Sequence, residues 1–432
     1  MKEIIQLKAN QAERGIIVGV ITPRTNRIEE QESLAELNFL AKTAHVEIIK
    51  TFIQTLPSLY PATYIGKGKM EEIKLYCQEN DIAVILFDDD LSPAQVKNLE
   101  KEIERKIIDR SGLILDIFAS RAKSKEAITQ VKLAQMQYLL PRLSGMWTHL
   151  SKQYGGVGTK GPGETQIETD RRLVKTKISQ LKHELREIET ERFEQRKKRK
   201  EMFRVSLVGY TNAGKSTLMN LLSNADVFVE DLLFATLDTT IRQVEISSTL
   251  KILLSDTVGF IRKLPPNLIA SFKSTLSEVL EADLLLHVVD VSYPNFINHI
   301  DVVNSTLEEL NTLEIPTLLI FNKIDRIKER EQIHDLKNTY SNAIFISAQR
   351  GINIETLKES IAEKLQTNWL EETLTIPQSN NRLLAQLHEV AEIVSKDYVD
   401  NDIIVKVRIQ KKVAEQVEKL LKRKVAKEVE FY

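Results

Sequence analysis

Eight consecutive residues, Gly209-Tyr210-Thr211-Asn212-Ala213-Gly214-Lys215-Ser216, place two glycines, a lysine and a hydroxyl at GxxxxGKS spacing. The apolar run Phe203–Val208 precedes them, and Thr217-Leu218-Met219-Asn220-Leu221-Leu222 follows with helical character. In a strand–loop–helix setting of this kind, backbone N–H groups turn inward around phosphates and the helix N-terminus adds positive potential. Lys215 is then expected at the β- and γ-phosphates of a nucleotide, with the Ser216 hydroxyl on Mg²⁺.

Three pieces further along choose the nucleotide. The apolar run Leu250–Ser255 ends in Asp256-Thr257-Val258-Gly259, a DxxG that begins 41 residues after Lys215. Asp256 is expected to hold Mg²⁺ through water, and the Gly259 N–H to sense the γ-phosphate. Thr317–Phe321 ends in Asn322-Lys323-Ile324-Asp325. There a carboxylate can accept from guanine N1 and N2, a donor pair that adenine lacks. Ala343–Ile346 ends in Ser347-Ala348-Gln349, whose backbone can meet guanine O6. All four pieces follow strand-like runs, and ligands of open α/β sheets gather at the carboxyl ends of strands. Together they predict GTP.

Switch I, Phe234-Ala235-Thr236-Leu237-Asp238, supplies the remaining nucleotide contacts. Thr236 is chosen over Thr239 and Thr240 as the second Mg²⁺ hydroxyl because it stands well before the strand expected near Ile241. The catalytic set is thus Lys215, Thr236 and Gly259, and the Mg²⁺ set is Ser216, Thr236 and Asp256. Phe260 occupies the place where Ras-like enzymes commonly carry a water-orienting Gln, and it can neither donate nor accept. Unaided hydrolysis is therefore expected to be slow, on the order of 10⁻³ s⁻¹ or less, with the missing group borrowed from a partner. Asn212 resembles the Asn of GTPases that bind K⁺ beside the phosphates; a plain hydrogen bond within the loop is the alternative.

The chain that must position these groups has 432 residues, about three domains' worth. Its 42% hydrophobic and 28% charged content is globular rather than disordered. Sixty basic against 61 acidic residues leave a net charge of -1, which excludes a uniformly basic nucleic-acid coat. The single cysteine, Cys77, excludes an internal disulfide and favours a reducing compartment. No apolar run approaches the roughly 18 residues of a membrane span, and the start has no signal-peptide core. A cytoplasmic protein is expected, with membrane contact at most peripheral.

Gly15–Ile21, Ile82–Phe87 and Leu113–Phe118 read as buried strands, and Ser33–Ala44, Lys69–Asn80 and Ser92–Lys106 as helices. The alternation predicts a small parallel α/β domain over 1–120. Ala127–Leu140 reads as a helix stopped by Pro141, and a longer one begins at Thr165. Its Val174, Ile178, Leu181, Leu185 and Ile188 form a heptad-like stripe, so 121–200 is expected as an antiparallel helical hairpin. The nucleotide pieces fill 201–368. A strand at Ile403–Ile409 and a helix at Val413–Leu421 predict a small basic α/β appendage over 369–432. The fold class is α/β.

Between the hairpin helices, 141–164 contains GGVGTKGPG at 155–163, with five of the chain's fifteen glycines. Arg142, Trp147, His149, Lys152, Tyr154 and Lys160 accompany it, and 121–172 carries nine Lys/Arg against four Asp/Glu. Basic groups interleaved with flat rings suit an RNA backbone and exposed bases. Trp147, Tyr154, Gly155, Gly156, Lys160, Gly161 and Gly163 are the expected RNA contacts; a plain linker is the bland alternative.

These blocks resemble the HflX family of translational GTPases over most of the chain. The resemblance is carried by DRSGLILDIFASRAKSKEAITQVKLAQMQYLLPRL at 109–143, by GGVGTKGPGETQIETDRR at 155–172, and by GYTNAGKSTL, LFATLD, DTVGFIRKLP and NKID. It implies a two-part N-terminal region, α/β plus helical hairpin, joined to a Ras-like P-loop GTPase domain. It further implies a monomeric, Mg²⁺-dependent GTPase that binds the large (50S) ribosomal subunit and 23S rRNA rather than DNA. Such a factor splits stalled or idle 70S ribosomes under stress, its glycine-rich tip near the peptidyl-transferase centre. ATP binding and RNA unwinding are attributed to the N-terminal part of some members. An ATP-dependent rRNA helicase is thus one rival reading, although no Walker pair stands outside 201–368, and a GTP-gated large-subunit assembly factor is another. Two departures are visible: Lys160 stands where the family usually has Arg, and Thr239 where Pro often follows the switch I Asp.

Overall fold

The computed structural model describes residues 13–23, 27–143, 162–197, 202–224, 233–234, 238–247, 250–263, 277–312, 314–327, 330–366, 369–378, 387, 391–399 and 402–410. Its first sheet is parallel, in the order β2-β1-β3-β4. The strands are β1 (Glu13–Ile21), β2 (Val46–Thr55), β3 (Val84–Phe87) and β4 (Lys106–Asp109), joined by α1 (Arg27–Thr43), α2 (Lys67–Glu79) and α3 (Pro93–Ile103). Ser92 caps α3 in a reciprocal box with Gln95, and Glu104 in a left-handed conformation ends it, leaving Lys106 free to start a strand. β2 was not foreseen. It lies at the sheet edge, where Glu47, Lys50 and Thr51 face water and break the apolar run.

The expected strand Leu113–Phe118 is instead helical, within α4 (Arg110–Arg121). Asp109 caps this helix by accepting from the Gly112 N–H at 2.9 Å. Leu113, Ile114, Leu115, Ile117 and Phe118 are all buried because α4 lies between the sheet, α1 and α5 (Lys125–Leu139). A short apolar run buried on several sides carries no period that separates strand from helix. The hairpin is formed by α5 and α6 (Pro162–Lys197), where Ile178, Leu181 and Leu185 pack on Leu133 and Met136. Those three belong to the stripe read from the spacing.

The second sheet has the order β10-β9-β8-β5-β7-β6, parallel except for the β6–β7 pair. Its strands are β5 (Phe203–Val208), β6 (Thr240–Glu245), β7 (Lys251–Asp256), β8 (Leu284–Asp290), β9 (Thr317–Asn322) and β10 (Ile344–Phe345). Its helices are α7 (Lys215–Ser223), α8 (Ser277–Leu280), α9 (Phe296–Glu309), α10 (Arg330–Thr339) and α11 (Ile354–Gln366). Val205, Leu207, Leu218, Leu254, Leu286 and Leu357 form a core private to this layer. On the opposite face Val208, Phe260, Leu285 and Val303 belong to the same apolar cluster as Leu37, Leu40 and Leu113 of the first layer. The two α/β layers therefore share one core.

A third sheet, antiparallel and ordered β11-β13-β12, holds β11 (Trp369–Pro377), β12 (Glu392–Val399) and β13 (Asp402–Gln410). β13 matches the strand expected at Ile403–Ile409, and β11 and β12 were not foreseen. The helix expected at Val413–Leu421 lies outside the described residues. No helix among the described residues is long and apolar enough to cross a membrane.

Candidate nucleotide-binding site

From the end of β5 the chain turns through Asn212 and Gly214, both at positive φ (59° and 95°), into α7. A Cβ on Gly214 would lie 2.3 Å from Asn322 Nδ2, so the turn admits only glycine. The Lys215 ammonium folds back over the loop and donates to the Gly209 and Tyr210 carbonyls at 3.0 and 2.8 Å. Burial pushes its pKa down to about 8, against the opposing pull of Asp256. Ser216, followed by Thr217 in the first turn of α7, donates from Oγ to Asp256 Oδ2 at 2.6 Å. A hydroxyl and a carboxylate brought together are the hard oxygen donors that Mg²⁺ takes, so these residues fit the ion.

The DxxG segment runs alongside the loop. Phe260 N–H donates to the Gly209 carbonyl at 3.1 Å, and Thr211 N–H donates to the Phe260 carbonyl at 2.8 Å. Thr257 was expected among the nucleotide contacts, but its hydroxyl donates to the Leu207 carbonyl at 2.6 Å and ties β7 to β5. Val258 is partly buried against the shared core. The Phe260 ring, 2% exposed, is part of that core, so no polar group orients water from this position.

At the other end, Asn322 Nδ2 donates to the Ala213 carbonyl, and Asn322 Oδ1 accepts from the Ala348 N–H, both at 2.9 Å. The Ser347-Ala348 backbone was expected at guanine O6; here the Ala348 N–H is held by Asn322. Lys323 Nζ donates to the Asn212 carbonyl at 2.8 Å and pairs with Asp290 Oδ2 at 2.7 Å. Ser347 Oγ donates to Asp325 Oδ1 at 2.6 Å, which fixes the carboxylate that would face guanine. Ile324 and Asp325 lie in a short 3-10 turn, with Gln349 exposed opposite. Asp290 was missed. It ends an apolar strand just as Asp256 and Asn322 do, and that rule would have found it.

Two switch I residues sit elsewhere than expected. The Phe234 ring, 2% exposed, packs edge-on against Phe118 of α4, with centroids 4.6 Å apart. Asp238 uses both oxygens at the start of α5. It accepts from the Lys123 and Ser124 N–H groups at 2.9 and 3.1 Å and from the Ser124 hydroxyl. Both side chains therefore anchor switch I to the N-terminal part. Ala235, Thr236 and Leu237 lie outside the described residues, as do Trp147, His149, Lys152, Tyr154, Gly155, Gly156, Lys160 and Gly161. Gly163 falls in the first turn of α6. Arg142 is turned inward: its guanidinium donates to the Tyr138 and Leu91 carbonyls and to Asp109 Oδ2 at 2.8–3.0 Å.

Residues 31–119 match the family described as GTP-binding GTPase N-terminal, 121–199 the GTP-binding GTPase Middle Region, and 204–323 the 50S ribosome-binding GTPase. The chain is 52% identical over 375 residues to the GTPase HflX of Flavobacterium psychrophilum, covering 82% of this chain and 91% of that one. It is 45% identical to the GTPase HflX of Magnetococcus marinus, over 90% of each chain. Against the GTPase HflX of Escherichia coli K12 the identity is 42%, over 88% of this chain and 90% of the relative.

Proposed function

The chain belongs to the GTPase HflX family and hydrolyses GTP, and we propose that it does so as a factor that binds the large ribosomal subunit and dissociates 70S ribosomes. The observation that carries this reading is the match of 204–323 to 50S ribosome-binding GTPases, laid over a site already wired for a nucleotide. Lys215 neutralises charge on the β- and γ-phosphates, and Asp325 accepts from guanine N1 and N2. Ser216 and Asp256, with Thr236, hold Mg²⁺, which when bound supplies further charge neutralisation at the phosphates.

With Phe260 in the core, the group that orients the attacking water comes from outside the DxxG segment. Ribosomal RNA is the supplier in this reading, and K⁺ beside Asn212 is a second source of positive charge. In this reading Trp147, Tyr154 and the glycines within 155–163 contact RNA. Sedimentation of purified 70S particles with the protein and a non-hydrolysable GTP analogue tests the proposal. Separate 50S and 30S peaks are expected, with the protein on 50S. Intact 70S particles beside protein-bound free 50S would favour an assembly factor instead.

A further inference from the structure

Tyr210 stands in the phosphate loop, yet its side chain serves three other parts of the molecule. Its phenol donates to Glu36 of α1 and accepts from the Arg262 N–H at 3.0 Å. Its ring lies on His299 of α9, with centroids 3.8 Å apart and planes 5° from parallel, and His299 stacks in turn on Tyr293. Burial pushes His299 down to about 4, so the stack is neutral at ordinary pH. Burial and the charge of Glu36 push the phenol well up, so it remains the donor. Meanwhile its main chain bridges to Phe260, and its carbonyl holds Lys215.

Behind Glu36 runs a buried charge ladder. Arg110, 1% exposed, pairs with Glu36 and with Asp88 Oδ1 at 2.7 Å. Asp88 Oδ2 accepts from Ser33 Oγ at 2.7 Å and from Lys263 Nζ at 2.6 Å, and Lys263 also reaches Asp89 at 2.5 Å. Arg262 donates to Glu32 of α1 at 3.1 Å. Two consecutive residues after the DxxG thus end on acids of the first layer, and Arg110 links one of them, Asp88, back to Glu36, the partner of Tyr210. Removing one member of such a set leaves a bare buried charge, so the set moves together or breaks.

The DxxG glycine has little slack of its own. A Cβ on Gly259 would lie 2.8 Å from Thr211 Cα, so loop and segment are already in close contact. A γ-phosphate that draws the Gly259 N–H therefore pulls on Arg262 and Lys263, three and four residues on.

We propose that Tyr210 is a positioning residue for GTP hydrolysis: its phenol sets the register between the phosphate loop and the Gly259–Lys263 segment and ties that register, through Glu36, to the N-terminal sheet. The inference rests on Gly209–Ser216 being the phosphate loop. Switch I, held by Phe234 on α4 and Asp238 on α5, is anchored to the same N-terminal part. The N-terminal part is thereby a component of the hydrolysis site.

The test uses the full chain with Tyr210→Phe, which keeps the ring and removes the hydroxyl, and with Glu36→Gln. Single-turnover GTP hydrolysis, affinity for a fluorescent GTP analogue and thermal midpoint are measured for each. The expected result for Tyr210→Phe is a rate about tenfold lower, affinity within about twofold of wild type, and a midpoint close to wild type. Glu36→Gln should act in the same direction, and the double variant should lose no more than the larger single loss, because both act through one path. An unchanged rate in Tyr210→Phe, losses that multiply in the double variant, or losses that only track the thermal midpoint would each overturn the proposal. A wild-type chain that neither binds nor hydrolyses GTP would overturn the GTPase reading itself, which is a separate result.

Discussion

The two ends of the nucleotide site are wired differently. At the base end, Asn322, Lys323 and Asp325 find Ala213, Ala348, Asn212, Asp290 and Ser347, all within the second layer. At the phosphate end, Tyr210, Asp238, Arg262 and Lys263 reach Glu36, Ser124, Glu32 and Asp88 in the N-terminal part. On the proposed assignment, guanine recognition is local to one sheet and sensing of the terminal phosphate is shared between two. A protein built this way can hold its nucleotide firmly while its N-terminal part follows the state of the phosphates.

The comparison breaks first at Arg110. Replacing Arg110 with Met leaves Glu36 buried with no cation against it and Asp88 with Lys263 as its one cation, and a loss of about 3 kcal/mol in urea unfolding of the full chain is expected. A loss below about 1 kcal/mol would show that the ladder does not bind the layers together. Asp325→Asn acts at the other end, lowering GTP affinity about a hundredfold with little change in stability. Xanthosine triphosphate, which carries a carbonyl where guanine has its amine, should regain affinity for that variant. Equal GTP binding by wild type and variant would falsify the guanine role.

Asp238→Ala should cost about 1 kcal/mol just ahead of α5, read as faster hydrogen exchange of the Lys123 and Ser124 amides that it holds. Guanine selectivity should stay as it was. A change in selectivity would mean that the two ends are not separately wired. The smallest effect concerns Lys215. With its pKa near 8 in the nucleotide-free protein, it is charged below that pH and loses its proton above it. Phosphates favour the charged form, so affinity is nearly full at pH 7 and falls as pH rises through 8, by about fourfold between pH 7 and 8.5. A flat titration curve over that range would remove Lys215 from the phosphates.

The base end was legible because each of its pieces is a contiguous run at the end of an apolar strand, and chemistry there needs neighbours in sequence. The charge ladder was not. Arg110 and Glu36 are 74 positions apart, and Lys263 and Asp88 are 175 apart, so their pairing exists only once two layers have packed. The side-chain contacts of Phe234 and Asp238 were hidden for a related reason. A switch motif marks where the chain passes the nucleotide, but α4 and the start of α5 decide where these two side chains go. The helix α4 was hidden because burial on several sides erased its period, whereas the exposed face of α6 left the stripe through Ile178 and Leu185 readable.

The grip of Asp238 on Ser124, the residue that caps α5, gives α6 a mechanical meaning. With 36 residues, α6 is a rod about 54 Å long, and its contacts with α5 include Leu181 and Leu185. From Leu185 to Pro162 is an unbranched arm of about 35 Å. A tilt of about 6° at that fulcrum displaces the far end by about 3.5 Å, the width of one stacked base. The carboxylate that holds Ser124 thus stands at the short end of a lever whose long end begins at Pro162, within the glycine-rich run.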